Sequence, residues 1–369
     1  MHSPTGMRWV EFTIARLPPQ VHRSAQWKYQ EESSAFMNTS TDYRYAEDEC
    51  DVIDKDKLRR YRAKRAEWIS LIHSDDPHSI WRQISSLLWD EVLFRTINDL
   101  RRRAVENVFP SVGFNGSVLR MFDTGFVTTQ VTAIRRLTER QPKNPDKGIV
   151  SLRRLVSDIR TAIPEITREV YVSYDGLPYD SEPVEEAWIQ ARLIDRNSIG
   201  PVWGETSGPK AWSTSQMVQA NFDKLAKYSD SATRSRNDVI SQDWFTWLDE
   251  RLDVCNDLRE YTNKFVAHAA DPVSRTGLTE SQTSVTLNSL RQCQKAIYDV
   301  AAFIYGPVLW EGSYSAVPVP QFNHLENIEK GWVTEDDLRL AHEIWNRHFD
   351  DIERWALNPT LPCTWRSGG

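Results

Sequence analysis

Apolar residues along much of this chain recur every three to four positions, the spacing that lines one side of an α-helix. Ile80, Ile84, Leu87, Leu88, Val92 and Leu100 predict a helix over 79–108, stopped by Phe109-Pro110-Ser111. Asn115-Gly116-Ser117 opens another that runs to about Glu139, with Leu119, Phe122, Phe126, Ala133 and Leu137 as its buried stripe. Leu152, Leu155, Val156, Ile159 and Ile163 give a shorter helix a clean apolar side. Met217, Val218, Phe222 and Leu225 mark a helix over 214–228. A long helix starts near Asp238 and closes at Ala267-His268-Ala269-Ala270-Asp271-Pro272. Its antiparallel partner, over 281–305, carries Val285, Leu287, Leu290, Ile297, Ala301 and Ile304 and ends at Gly306-Pro307. The fold class expected is all-α.

Between 171 and 212 the period is lost. Tyr171, Tyr174 and Tyr179 around Gly176-Leu177-Pro178 predict an ordered aromatic loop, with a helix at 184–192. Such tyrosines either stack on bases or plug gaps between helices, and plugging is the reading taken. Residues 1–55 show no sustained period and read as a disordered leader. The body is then 56–312, and 313–369 is a Pro-rich tether with a C-terminal helix. That last helix has acidic residues in its first turn after Thr334, and Leu338, Ala341, Trp345 and Ile352 form a docking side.

Composition narrows the function. A net charge of −7 does not suit a globally basic nucleic-acid binder. RNA contact would need local basic patches, of which Lys57–Arg65 and Arg101-Arg102-Arg103 are the densest. Both also read as solvated helix surface or, for the second, as a complement to the helix dipole. The four cysteines, Cys50, Cys255, Cys293 and Cys363, have no paired spacing and fit free thiols in a reducing cytoplasm. No apolar run approaches a membrane span, so no membrane partner is expected. His342 and His348 are six apart and share no ligand geometry, Gly204 and Gly208 lack a phosphate-loop context, and no metal or cofactor is assigned.

The chemistry-bearing stretch is the end of the long helix. At about 100° per residue, Asp257, Tyr261, Lys264 and His268 share one face, while Leu248, Leu252, Cys255, Thr262 and Val266 take roughly the other. An exposed imidazole with a cation one turn earlier can exchange protons in phosphodiester cleavage. The same residues also read as a polar helix end.

Thr262-Asn263-Lys264-Phe265-Val266-Ala267-His268 resembles the motif of HEPN-like helical proteins of bacterial abortive-infection and toxin–antitoxin systems, in particular their AbiU-type branch. Asn263 and His268 match, and Val266-Ala267-His268 resembles the apolar-Ala-His ending. Ile134-Arg135-Arg136-Leu137-Thr138 and Ser151-Leu152-Arg153-Arg154-Leu155 also look like that branch, and the likeness runs loosely from Ile80 to Tyr305. The chain departs at Thr262, where active members carry Arg. The resemblance implies an HEPN-like bundle that forms a homodimer, with a possible cognate antitoxin or regulatory partner. It implies a metal-independent endoribonuclease in which His268 moves protons, Lys264 faces the phosphate and Asn263 orients groups. Tyr261, Arg135 and Arg136 are the candidate RNA-binding residues. Arg135 and Arg136 also read as structural partners of carboxylates such as Asp158. The alternative implied by Thr262 is a catalytically degenerate binding or regulatory protein.

Overall fold

The computed structural model describes residues 43–106, 116–140, 148–194, 204–227, 233–328 and 335–357. Most of the expected leader, the Phe109-Pro110-Ser111 stop, Thr334 and Cys363 lie outside them. Twelve helices are described: α1 Lys55–Ile72, α2 Ile80–Glu106, α3 Gly116–Leu137, α4 Leu152–Ala162, α5 Arg168–Ser173, α6 Glu182–Ile194, α7 Trp212–Ala226, α8 Gln242–Asp253, α9 Asn256–Tyr261, α10 Glu280–Thr283, α11 Leu287–Phe303 and α12 Glu335–Leu357. Among the described residues the extended pairing is a lone bridge between Thr167 and Val239, and no helix is long and apolar enough to cross a membrane. The chain is all-α.

One compact unit spans Thr39–Pro318, wider than the expected 56–312. Residues at both edges enter its core: Cys50 and Val52 from the expected leader, Tyr314 and Ala316 from the expected tether. A second unit includes α12. Of the docking side expected on α12, Ala341 and Trp345 are exposed and Ile352 is half-buried.

Helix α4 shows how local sequence becomes position. Ser151 caps it by accepting the Arg154 N–H at 3.1 Å. Its apolar stripe, Leu152, Leu155, Val156 and Ile159, is fully buried. It packs on α8, which also packs on α11, and Arg251 of α8 binds Asp299 of α11 at 2.6 Å. Gln130 of α3 is buried; its amide donates to Leu87 O at 3.1 Å and its oxygen accepts from Gln294 at 2.8 Å, linking α2, α3 and α11.

Several stripes shift from the expected ones. In α2, Val92 and Leu100 are exposed while Glu91 and Phe94 are buried. In α3, Phe122 is exposed and Leu119 only half-buried, and the deep contacts come from Phe126, Val131, Ile134 and Leu137. Met217 and Leu287 also face outward.

The basic run in α1 is divided between the core and the surface. Asp54 caps the helix at Lys57 N, and Leu58, Tyr61, Trp68 and Ile72 drive it into the core. Arg62 and Arg65 lie on that inward stripe. Arg62 donates to the carbonyls of Tyr174 and Tyr45. Arg65 reaches Leu309 O, the Tyr174 hydroxyl and the Glu311 carboxylate. The outward cations are matched as well: Arg59 by Glu47 and Asp56, Arg60 by Glu165, Lys64 by Glu67. Similarly, Arg101 pairs with Asp123 and Arg102 with Asp99. Tyr171, Tyr174 and Tyr179 are interior fillers: the Tyr171 hydroxyl donates to Pro307 O, and guanidiniums of Arg65 and Arg236 cover the other two rings.

His73 is buried at the end of α1 beside the rings of Trp81, Tyr305 and Tyr314. Burial pushes its pKa down to about 4, against 6.5 when free. The unfolded chain therefore binds the extra proton first. Stability from this group is complete above pH 6.5 and falls as pH drops towards 4, by on the order of 2–3 kcal/mol. Denaturant midpoints at pH 7 and pH 4.5 should show that loss, and His73→Phe should shrink it. An unchanged pH dependence in His73→Phe would assign the loss to other groups.

Candidate functional site at the α9 end

The expected long helix is three pieces. α8 stops at Asp253, α9 restarts at Asn256, and Thr262–Ala267 is a π-helical turn. Thr262 sits at the widening, 1% exposed, with its hydroxyl 2.7 Å from Leu258 O and 3.3 Å from Val131 O of α3. A Thr hydroxyl bonded four residues back loosens helical geometry, and the wider turn accommodates it here. The position where the resembled motif has Arg thus points into the bundle.

The apolar side of this segment is as expected, with Leu248, Leu252 and Cys255 buried and Val266 against the core. On the polar side, His268 is exposed and has left the helix, with φ −134° and ψ 137°. Facing by helical phase therefore ends at Ala267. Lys264 is half-buried with its ammonium 3.8 Å from Glu260, and Asn263 is half-buried beside it. Tyr261 stacks on Phe265, centroids 5.1 Å apart, and Arg275 covers the Phe265 ring. Tyr261, a candidate RNA-binding residue, thus has one ring face against Phe265.

α3 packs against α9 and the π turn, so the end bearing Arg135 and Arg136 belongs to this region. Arg135 turns to Glu139, just past the end of its helix and 3.7 Å away, and Arg136 is exposed. Neither has a hydrogen bond or ion pair with Asn263, Lys264 or His268 among the described residues. Asp158, the carboxylate expected for them, is instead matched by Arg154 on its own helix. No group of three or more His, Cys, Asp or Glu among the described residues could hold a metal ion.

The stronger electrostatic feature lies one turn earlier. Burial and the neighbouring guanidiniums of Arg153 and Arg140 pull Arg259 below the ordinary arginine range. Arg153 is 3% exposed and donates to Asp253 at 2.6 Å, while its buried Nε has no partner among the described residues. Although burial opposes it, Arg153, Asn256 and Arg140 hold the Asp253 carboxyl below its usual range. Asp249 lies 3.6 Å from Arg153 but is bound more closely by Arg160, at 2.5 Å. Three guanidiniums thus share this corner with the carboxylates of Asp253, Asp249 and Glu260. An anion relieves such crowding, and a forked guanidinium suits phosphate.

None of these three arginines belongs to the Asn263–Lys264–His268 set. A signal was present: Arg140 lies one turn beyond Arg136, Arg153 is in the Ser-Leu-Arg-Arg-Leu segment, and Arg259 precedes Asn263 by one turn. Among known proteins, the chain matches no family model, no curated protein and no solved structure.

Proposed function

We propose that this chain is a catalytically degenerate HEPN-like protein of the abortive-infection or toxin–antitoxin type, holding RNA phosphates at Arg140 and Arg259, beside the buried Arg153, without cleaving them. The observation that carries the reading is Thr262, buried with its hydroxyl against Val131 O. An oxyanion-stabilising donor is worth on the order of 10²-fold or more in rate, and this chain has none at the motif position. Lys264 is a weaker substitute, a point charge already shared with Glu260. The crowded arginines favour phosphate capture. Homodimerisation and a cognate regulatory partner belong to the same proposal.

One observation favours the nuclease reading: His268 is open to solvent at the end of its helix. The two readings separate in one set of assays. Single-stranded RNA, incubated without added metal, should stay intact with wild type and with His268→Ala alike. RNA affinity should fall roughly tenfold in the Arg140→Gln/Arg259→Gln double variant. The salt slope should lessen by about one for each phosphate contact removed. Cleavage by wild type that His268→Ala abolishes would restore the nuclease reading, and salt-insensitive RNA binding would remove the arginine corner from it.

A further inference from the structure

A cavity of about 250 Å³ lies away from the arginine corner, lined by Arg44, Asp175, Leu177, Ser207, Val218 and Trp310 among others. Its walls are held by unusual backbone. Gly176 and Gly208 have φ of +82° and +83°, and a Cβ on either would collide with Tyr45, on the Gly176 side at 2.5 Å from the ring. Tyr45 is thereby seated between two turns that only glycine makes without strain. Trp310 has φ +54°, rare for a bulky residue, and is held there as its N–H donates to Gly306 O at 2.8 Å. Residues held in sparsely populated backbone regions concentrate at ligand clamps and other functional positions.

Two opposite charges lie around the cavity with an apolar base. Val218 is 1% exposed and Val172 is 0% exposed, and both belong to the lining. Asp175 Oδ1 accepts the backbone N–H groups of Arg44, at 2.8 Å, and Tyr45, at 3.3 Å. Its Oδ2 accepts no bond among the described residues. The exposed Arg44 donates from Nη1 to Ser207 Oγ at 3.1 Å, which aims the guanidinium while leaving other donors for a ligand. Polar cavity groups of this kind fix a ligand's orientation, and apolar walls supply the burial.

We propose that this cavity binds a small zwitterion with an apolar tail, an apolar α-amino acid being the chemical class. The ligand ammonium meets Asp175 and its carboxylate meets Arg44. Its tail lies against Val172, Leu177, Val218 and Trp310. A nucleotide fits less well, because its excess negative charge would approach the Asp175 carboxylate. A wholly apolar ligand would desolvate both charges without pairing them.

The test is calorimetric titration of the full chain with L-phenylalanine and L-leucine, beside two analogues that each lack one charge, phenethylamine and 3-phenylpropionate. Both amino acids should bind, and each analogue should bind at least about tenfold more weakly than L-phenylalanine. Arg44→Gln, an exposed position, should keep the wild-type melting temperature. It should weaken L-phenylalanine about tenfold and leave phenethylamine unchanged, because only the carboxylate contact is lost. Absence of binding by both amino acids at millimolar concentration overturns the proposal. So do analogues as tight as the parent, or Arg44-dependent binding of a nucleoside monophosphate in their place. RNA binding is measured elsewhere on the molecule, so its presence or absence leaves this outcome untouched.

Discussion

Arg168→Ala should destabilise the compact unit by roughly 3–5 kcal/mol, the cost of removing one partner from a buried ion pair. The Arg168 side chain is 0% exposed, with Nε 2.8 Å from Asp238 and Nη1 2.7 Å from Asp223. It also donates to Gln219 Oε1 and lies over the Phe222 ring. Its backbone N–H donates to Asp238 O, next to the Thr167–Val239 bridge, so the residue joins α5, α7 and the 234–240 segment. The two carboxylates fare differently when it is removed. Asp223 keeps Arg234 at 2.6 Å, and, against the effect of burial, Arg234 and Arg168 hold its carboxyl below the usual range. Asp238 is more enclosed and also accepts the Ser235 N–H at 2.9 Å. Arg168→Lys should recover part of the loss, since an ammonium restores charge but cannot span both acids as a fork. Urea unfolding monitored by circular dichroism reads each variant. A loss below about 1 kcal/mol in Arg168→Ala would mean that water enters this site and screens its charges.

Thr262→Arg should cost a similar amount, again roughly 3–5 kcal/mol, and should not produce a nuclease. The substitution matches the resembled motif in sequence only. In space it forces a guanidinium into a site 1% exposed, beside Val131 O and Leu258 O, with no carboxylate described there to receive it. Thr262→Val separates the two contributions: it keeps the shape, loses the hydroxyl contacts and should cost only about 1 kcal/mol. Denaturant unfolding gives the stabilities, and RNA incubation without metal gives the activity. A Thr262→Arg protein as stable as wild type, cleaving RNA in a manner that His268→Ala blocks, would sink the degenerate reading.

The sequence was most informative where structure depends on neighbours within one or two turns. The α4 stripe of Leu152, Leu155, Val156 and Ile159 was readable, as was the exposed end at His268, because period and capping are properties of a short window. It was least informative about the α1 arginines. In a local window Arg62 and Arg65 read as part of a cationic surface. Their acceptors, at Tyr174, Leu309 and Glu311, are more than a hundred residues away. The arginine corner was hidden for the same reason, since Arg140, Arg153 and Arg259 come from three segments of the chain.

Thus the residues along this chain settled its helical class, the apolar sides of its best helices and the presence of a histidine at a helix end, all governed by local spacing. Tertiary packing decided what that end could do. By pressing Thr262 against Val131, it placed inside the bundle the position where the resembled motif has Arg. By bringing Arg153 and Arg140 near Arg259, it pulled that guanidinium below the ordinary arginine range. The physical reason is that burial and charge–charge interaction depend on distance through space, which spacing along the chain does not specify.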